Sequence, residues 1–128
     1  MNEKKTNAPG EVGLKLHPWV KEFPGEVTAC DKNGTIVSMN DGSVRSFSDR
    51  GGEKLVGSSI FDCHPEPARS KLKALMESRQ KNIYTIQKNG LRKLIFQTPW
   101  YLDGEYAGYV ELNLEIPWEM PHFNRDQK

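Results

Sequence analysis

The residues of this chain that could do chemistry cluster in one stretch, "FDCHPEPARSKL", where Cys63 stands beside His64. The only other cysteine is Cys30. Thiolate and neutral imidazole are soft metal ligands and reactive groups, so the pair raises metal, haem and redox chemistry together. A structural zinc site needs four ligands at recurring spacings. There is no Cys-x-x-Cys, and the three histidines are scattered at positions 17, 64 and 122. A thiol switch requires Cys30 and Cys63 to meet, with His64 as a third partner. A Cys63 beside a helix start is expected to have a lowered thiol pKa. The plainer alternative, which the pattern favours, is two small buried hydrophobes in a reducing compartment. For haem, His64 would have to be an axial ligand facing an apolar cavity. A helix N-terminus there would hold the imidazole neutral, the ligating form. The alternative is that His64 caps a helix or fills a polar gap. Covalent haem attachment needs Cys-x-x-Cys-His, which is absent.

Catalysis has less support. Asp62, Glu66, Glu111 and Glu115 are acids, but no nucleophile elbow, phosphate loop or paired acid/base motif accompanies them. Nor is there a kinase, cyclase or DNA-binding output segment. The expectation is a non-enzyme. Bulk properties exclude other classes. The chain has 128 residues, enough for one domain, and a net charge of +1, which gives no case for nucleic acid or an anionic membrane. Its apolar runs are too short to span a bilayer. The N-terminus lacks the apolar core of a secretory signal. A cytoplasmic protein is expected.

The elements that must position these residues are marked by turn dipeptides. Asn33-Gly34, Asn89-Gly90 and Asp103-Gly104 each sit between β-prone runs, the pattern of tight hairpins. Five strands follow, at about 26–31, 35–39, 82–88, 91–101 and 105–116. The last alternates strictly, with Val110, Leu112, Leu114 and Ile116 on one face and Tyr109, Glu111, Asn113 and Glu115 on the other. Alternation alone does not say which face is buried. Between hairpin and meander, glycine-broken helical turns are expected, the first capped by Asn40. "EPARSKLKALMESRQ" is the one clear helix, with Ala68, Leu72, Leu75 and Met76 on one stripe and Pro65 and Pro67 at its start. A short amphipathic piece, "HPWVKEF", precedes the first strand. Residues 1–13 read as a disordered tail, 14–117 as one domain and 118–128 as a C-terminal tail that Trp118 and Phe123 would pin. The class is α+β, a curved antiparallel sheet with helices on one face.

In this order the segments resemble the PAS sensor family. "VTACDKNGTIVSMN" is similar to its opening hairpin, "EKLVGSSIFD" to the segment that follows, with Leu55, Val56 and Gly57 in place, and "DGEYAGYVELNLEIP" to its last hairpin. "CHPEP" is most similar to a bacterial subgroup with Cys-His-Pro before the long helix. The resemblance covers about residues 18–117. It implies a five-stranded antiparallel sheet of order 2-1-5-4-3, with short helices and one longer helix over its inner face. It also implies a small ligand or cofactor in between, and pairing through the N-terminal helix and the sheet's outer face. The flavin photosensors of the family carry Asn-Cys-Arg-Phe-Leu-Gln, which is missing here, so flavin is disfavoured and haem stays open. The expected ligand-binding residues are Phe47, Ile60, Phe61, Cys63, His64, Leu72, Met76, Tyr84, Gln97, Tyr109 and Glu111. Leu55, Leu75 and Ile95 are further candidates. Gln97 and Glu111 would be buried polar groups in need of partners if their face is the inner one. The expected function is a stand-alone sensory domain that binds a small ligand and signals by association with a partner protein or a second copy. The alternatives are a ligand-free interaction module, or a haem or thiol sensor through His64 and Cys63.

Overall fold

A computed structural model describes residues 13–126 of the chain. The expected disordered tail lies almost wholly outside these residues. Three tight turns set the frame. At Asn89-Gly90 and Asp103-Gly104 both turn residues have positive φ (55° and 77°; 52° and 83°). That conformation matches the twist of antiparallel strands, so long hairpins close without splaying. At the first turn the Asp31 carboxylate accepts the Asn33 and Thr35 amides at 2.9 and 3.0 Å. The strands these turns join are β1 (Glu26–Asp31), β2 (Ile36–Met39), β3 (Asn82–Lys88), β4 (Leu91–Leu102) and β5 (Glu105–Ile116). They form one antiparallel sheet of order β2-β1-β5-β4-β3, as the resemblance implies.

The described residues form three helices, α1 (Pro18–Lys21), α2 (Asp41–Ser46) and α3 (Ala68–Ser78), with 3₁₀ turns at Ser48–Arg50, Gly52–Leu55 and Ile60–Cys63. Asn40 organises the first half of the chain. Its Oδ1 caps α2 through the Ser43 amide at 3.0 Å and also accepts the Val27 amide at 2.9 Å. Its Nδ2 donates to the carbonyls of Val20, Phe23 and Gly25. One fully buried side chain (0% exposed) thus ties α1, β1 and α2 together.

The core lies between α3 and the sheet. Leu72 and Met76, four apart on one helical face, pack with Cys30 of β1 and Tyr109 of β5. This decides which face of β5 is inner: the one with Tyr109, Glu111 and Asn113. Val110, Leu112 and Leu114 lie on the outer face, half-buried, with Leu112 in register between Val27 and Phe96. β1 and β5 approach closely at Gly108, where a Cβ would run into the Cys30 carbonyl. Beyond β5 the chain to residue 126 has no helix or strand. Trp118 stacks on Arg92, whose Nη1 donates to the Trp118 carbonyl at 3.1 Å. Phe123 is exposed and does not pin the tail.

Candidate functional site

The short 3₁₀ turn Ile60–Cys63 corrects the reading of Cys63 and His64. The pair does not sit at the N-terminus of α3, which begins at Ala68. Cys63 ends the 3₁₀ turn and His64 caps its C-terminal side. His64 Nδ1 lies 2.8 Å from the Ile60 carbonyl oxygen. A carbonyl only accepts, so Nδ1 carries the proton and a neutral ring has its lone pair on Nε2. The first turn of α3 is satisfied by Glu66 instead. Its carboxylate accepts from the Ser70 amide at 3.1 Å and the Ser70 hydroxyl at 2.9 Å. The prolines displace the helix start because Pro67 donates nothing and is already the cap residue.

Strand register lines up the polar side chains of the inner face. Asn82 of β3, Gln97 of β4, Glu111 of β5 and Thr28 of β1 are direct cross-strand neighbours. Asn82 Nδ2 donates to Gln97 Oε1 at 2.9 Å, and Gln97 Nε2 donates to Glu111 Oε1 at 2.6 Å. Two amides therefore relay onto one carboxylate, each bond polarising the next. Gln97 is only 8% exposed, so this pairing offsets the cost of burying its amide. One register step along lie Tyr84, Ile95 and Asn113. The Asn113 Oδ1 is buried and has no hydrogen-bond partner among the described residues.

These two rows form the floor of a groove of about 490 Å³, within the usual range for small-molecule sites. Its opposite wall is the α3 face with Ala68, Lys71, Leu72 and Leu75, together with His64. A much smaller space of about 30 Å³ lies between Cys30, Ile60, His64 and Tyr109. It has room for about one water. Burial pushes the Cys30 thiol up to about 11, against the lowering effect of the Tyr109 backbone bond. Burial, then the neighbouring Tyr106, pushes the Tyr109 phenol up to about 12. The Tyr109 hydroxyl donates to the Gln80 carbonyl at 2.6 Å and so fastens the end of α3 to the sheet. Tyr84, on the groove wall, is also raised, first by desolvation and then by the Glu111 charge.

Of the residues expected at a ligand site, His64, Leu72, Tyr84, Gln97 and Glu111 line the groove. Ile60 and Tyr109 line the small inner space. Met76 is core packing. Phe61 lies on the other side of α3, where it covers Gly34 and sits 5.3 Å below the Lys73 ammonium. Phe47 ends α2, and Cys63 ends its 3₁₀ turn; neither borders the groove. Sequence reasoning missed Asn82, Ile86 and Asn113. Asn113 could have been found, because it shares the β5 alternation with Glu111.

Among the described residues, no cluster of three His, Cys, Asp or Glu side chains could hold a metal ion. The space between Cys30, Ile60, His64 and Tyr109, at about 30 Å³, is too small to hold a haem or a flavin. No helix among the described residues is long and apolar enough to cross a membrane.

No protein-family model and no curated protein matches the chain. Solved structures do. The Aer2 receptor of Vibrio cholerae, described as a dual PAS-haem oxygen sensor, superposes with a TM-score of 0.57 at 18% identity. The match covers 73% of this chain and 95% of that one. The PAS domain of an HTR-like protein from Haloarcula marismortui gives 0.54 at 14% identity, covering 77% and 86%. The fold is that of a PAS domain. VqmA bound to DPO matches this PAS fold with a TM-score of 0.55 at 17% identity, over 77% of this chain and 56% of that one.

Proposed function

We propose that this PAS domain is a sensory module that takes a small molecule in the groove between α3 and strands β3 to β5 and signals by protein association. The observation that carries the reading is the relay from Asn82 through Gln97 to Glu111 along the groove floor. A groove with apolar walls and a few convergent polar groups is the usual form of a small-molecule site. Two similar folds support it: one belongs to a haem oxygen sensor and one was solved bound to DPO. In this reading the chain does no chemistry on its ligand. It acts in the bacterial cytoplasm, and ligand occupancy shifts how α1 and the apolar outer sheet face pair with a partner protein or a second copy.

Native mass spectrometry of the purified protein tests the proposal. A retained small molecule, or an occupancy-dependent change in stoichiometry, is the expected result. A chain that stays apo and keeps one stoichiometry against a broad metabolite panel refutes it. One observation favours a second reading, the ligand-free interaction module: the space beside Cys30 and Tyr109, next to the core, holds only about 30 Å³. That reading predicts association that no small molecule alters.

A further inference from the structure

The groove floor carries one carboxylate, Glu111, and one buried amide oxygen without a partner, Asn113 Oδ1. The Glu111 carboxylate uses Oε1 for Gln97. Among the described residues nothing bonds its Oε2, and no Lys or Arg lies within ion-pair distance of it. This half-buried carboxylate thus has one amide partner and no counter-cation among the described residues. Beside it on β5, two residues on, is the buried and unpartnered Asn113 Oδ1. The groove also includes His64, whose Nδ1 proton is committed to the Ile60 carbonyl. Asn82 Nδ2 gives one hydrogen to Gln97 and Gln97 Nε2 gives one to Glu111, so the neighbouring amides are neutral partners that bring no charge to balance the carboxylate. The remaining walls are Leu72, Leu75, Ile86 and Ile95, with the half-open ring of Tyr84. The one cation of the groove, Lys71, is exposed on α3.

We infer that the groove is selective for a small organic cation, an amine or amidine carried on a flat apolar body. Its N–H groups donate to Glu111 Oε2 and Asn113 Oδ1, and its body lies between Leu75 and Tyr84. The inference rests on the ligand-binding reading above and narrows it to one chemical class. An amidinium meets a carboxylate through charge-assisted bonds, about twice as strong as neutral ones. It also supplies the missing counter-charge to Glu111 and a donor for the Asn113 oxygen. An anionic ligand would have Lys71 as its one positively charged partner among the groove residues and would face the Glu111 charge.

The test is a titration of the ¹⁵N-labelled chain with benzamidine, and with benzoate and benzyl alcohol as planar relatives of opposite and zero charge. Benzamidine is expected to move the amides of residues 82–86, 95–97 and 111–113. It is expected to bind at least about tenfold more tightly than either relative. Glu111→Gln keeps an acceptor for Gln97 and should remove that preference, while Asn113→Asp should raise benzamidine affinity by adding a second carboxylate. Benzoate or benzyl alcohol shifting the same amides as strongly as benzamidine overturns the cation selectivity and leaves the groove as a ligand site. An unchanged benzamidine affinity in a folded Glu111→Gln chain overturns it as well. No shift with any of the three probes removes support from both the selectivity and the groove.

Discussion

The inner face of the sheet has two halves that differ in kind. Under α3, on β1 and β5, it is closed: Cys30 and Tyr109 are 2% and 4% exposed and touch Leu72 and Met76. Toward β3 it is open, and Tyr84, on the same face, is 42% exposed. A single helix of 11 residues packs on the first half, and over the second it forms only the side wall of the groove. The closed half is apolar with one fastening hydroxyl, Tyr109. The open half carries the amide–carboxylate relay. Stability and recognition thus occupy different ends of one surface, and the long helix sits where they meet.

That division can be broken most forcefully from the closed side. Leu72→Ala empties the centre of the cluster and is expected to cost about 2–5 kcal/mol. Tyr84→Ala, on the open half, should cost less than about 1 kcal/mol. Urea midpoints of the two variants measure the contrast; similar losses would mean the halves are not distinct. Asn40→Ala comes next. It leaves the Val27 and Ser43 amides and three carbonyls without their side-chain partner, and a loss of about 2–3 kcal/mol is expected. Hydrogen exchange should locate the loosening at α1 and α2 and leave the groove amides protected. Tyr109→Phe deletes only the bond to Gln80 and should cost about 1 kcal/mol, with α3 fraying at its C-terminal end.

The mildest probe is alkaline pH. Cys30 is raised from its ordinary 9.0 to about 11 by burial. The unfolded chain therefore loses this proton first, and from pH 9 upward ionisation favours unfolding. Stability is unaffected below pH 9 and falls progressively toward pH 11, with Tyr109 extending the decline from 10 toward about 12. The urea midpoint followed from pH 8 to 11 should show this slope, and Cys30→Ala should flatten its first part. A flat profile in the parent chain would mean Cys30 is not held away from water.

Local chemistry was enough to place the strands. Asn-Gly and Asp-Gly turns require positive φ, and period two on β5 requires a pleated strand. All five strands and the sheet order follow those signals and the resemblance they carry. The start of α3 was less legible, because two prolines in three residues leave several registers open, and Glu66 rather than His64 satisfies its first turn. The candidate site was read in part. Gln97 and Glu111 were visible as polar interruptions in apolar strands. Asn82 was not, since nothing local says that β3 pairs it with Gln97.

The sequence by itself determined where the chain turns, which residues alternate and which stripe of α3 is apolar, because these depend on dihedral preferences and on spacing along the chain. It left open which face of β5 turns inward. The contact of Tyr109 with Leu72 and Met76 decided that, a packing between residues more than thirty positions apart. Tertiary structure also moved Cys63 and Phe61 off the groove and brought Asn113 onto it. A side chain's neighbours across a sheet are set by register and by the helix laid over it, and neither is written in the residues that flank it.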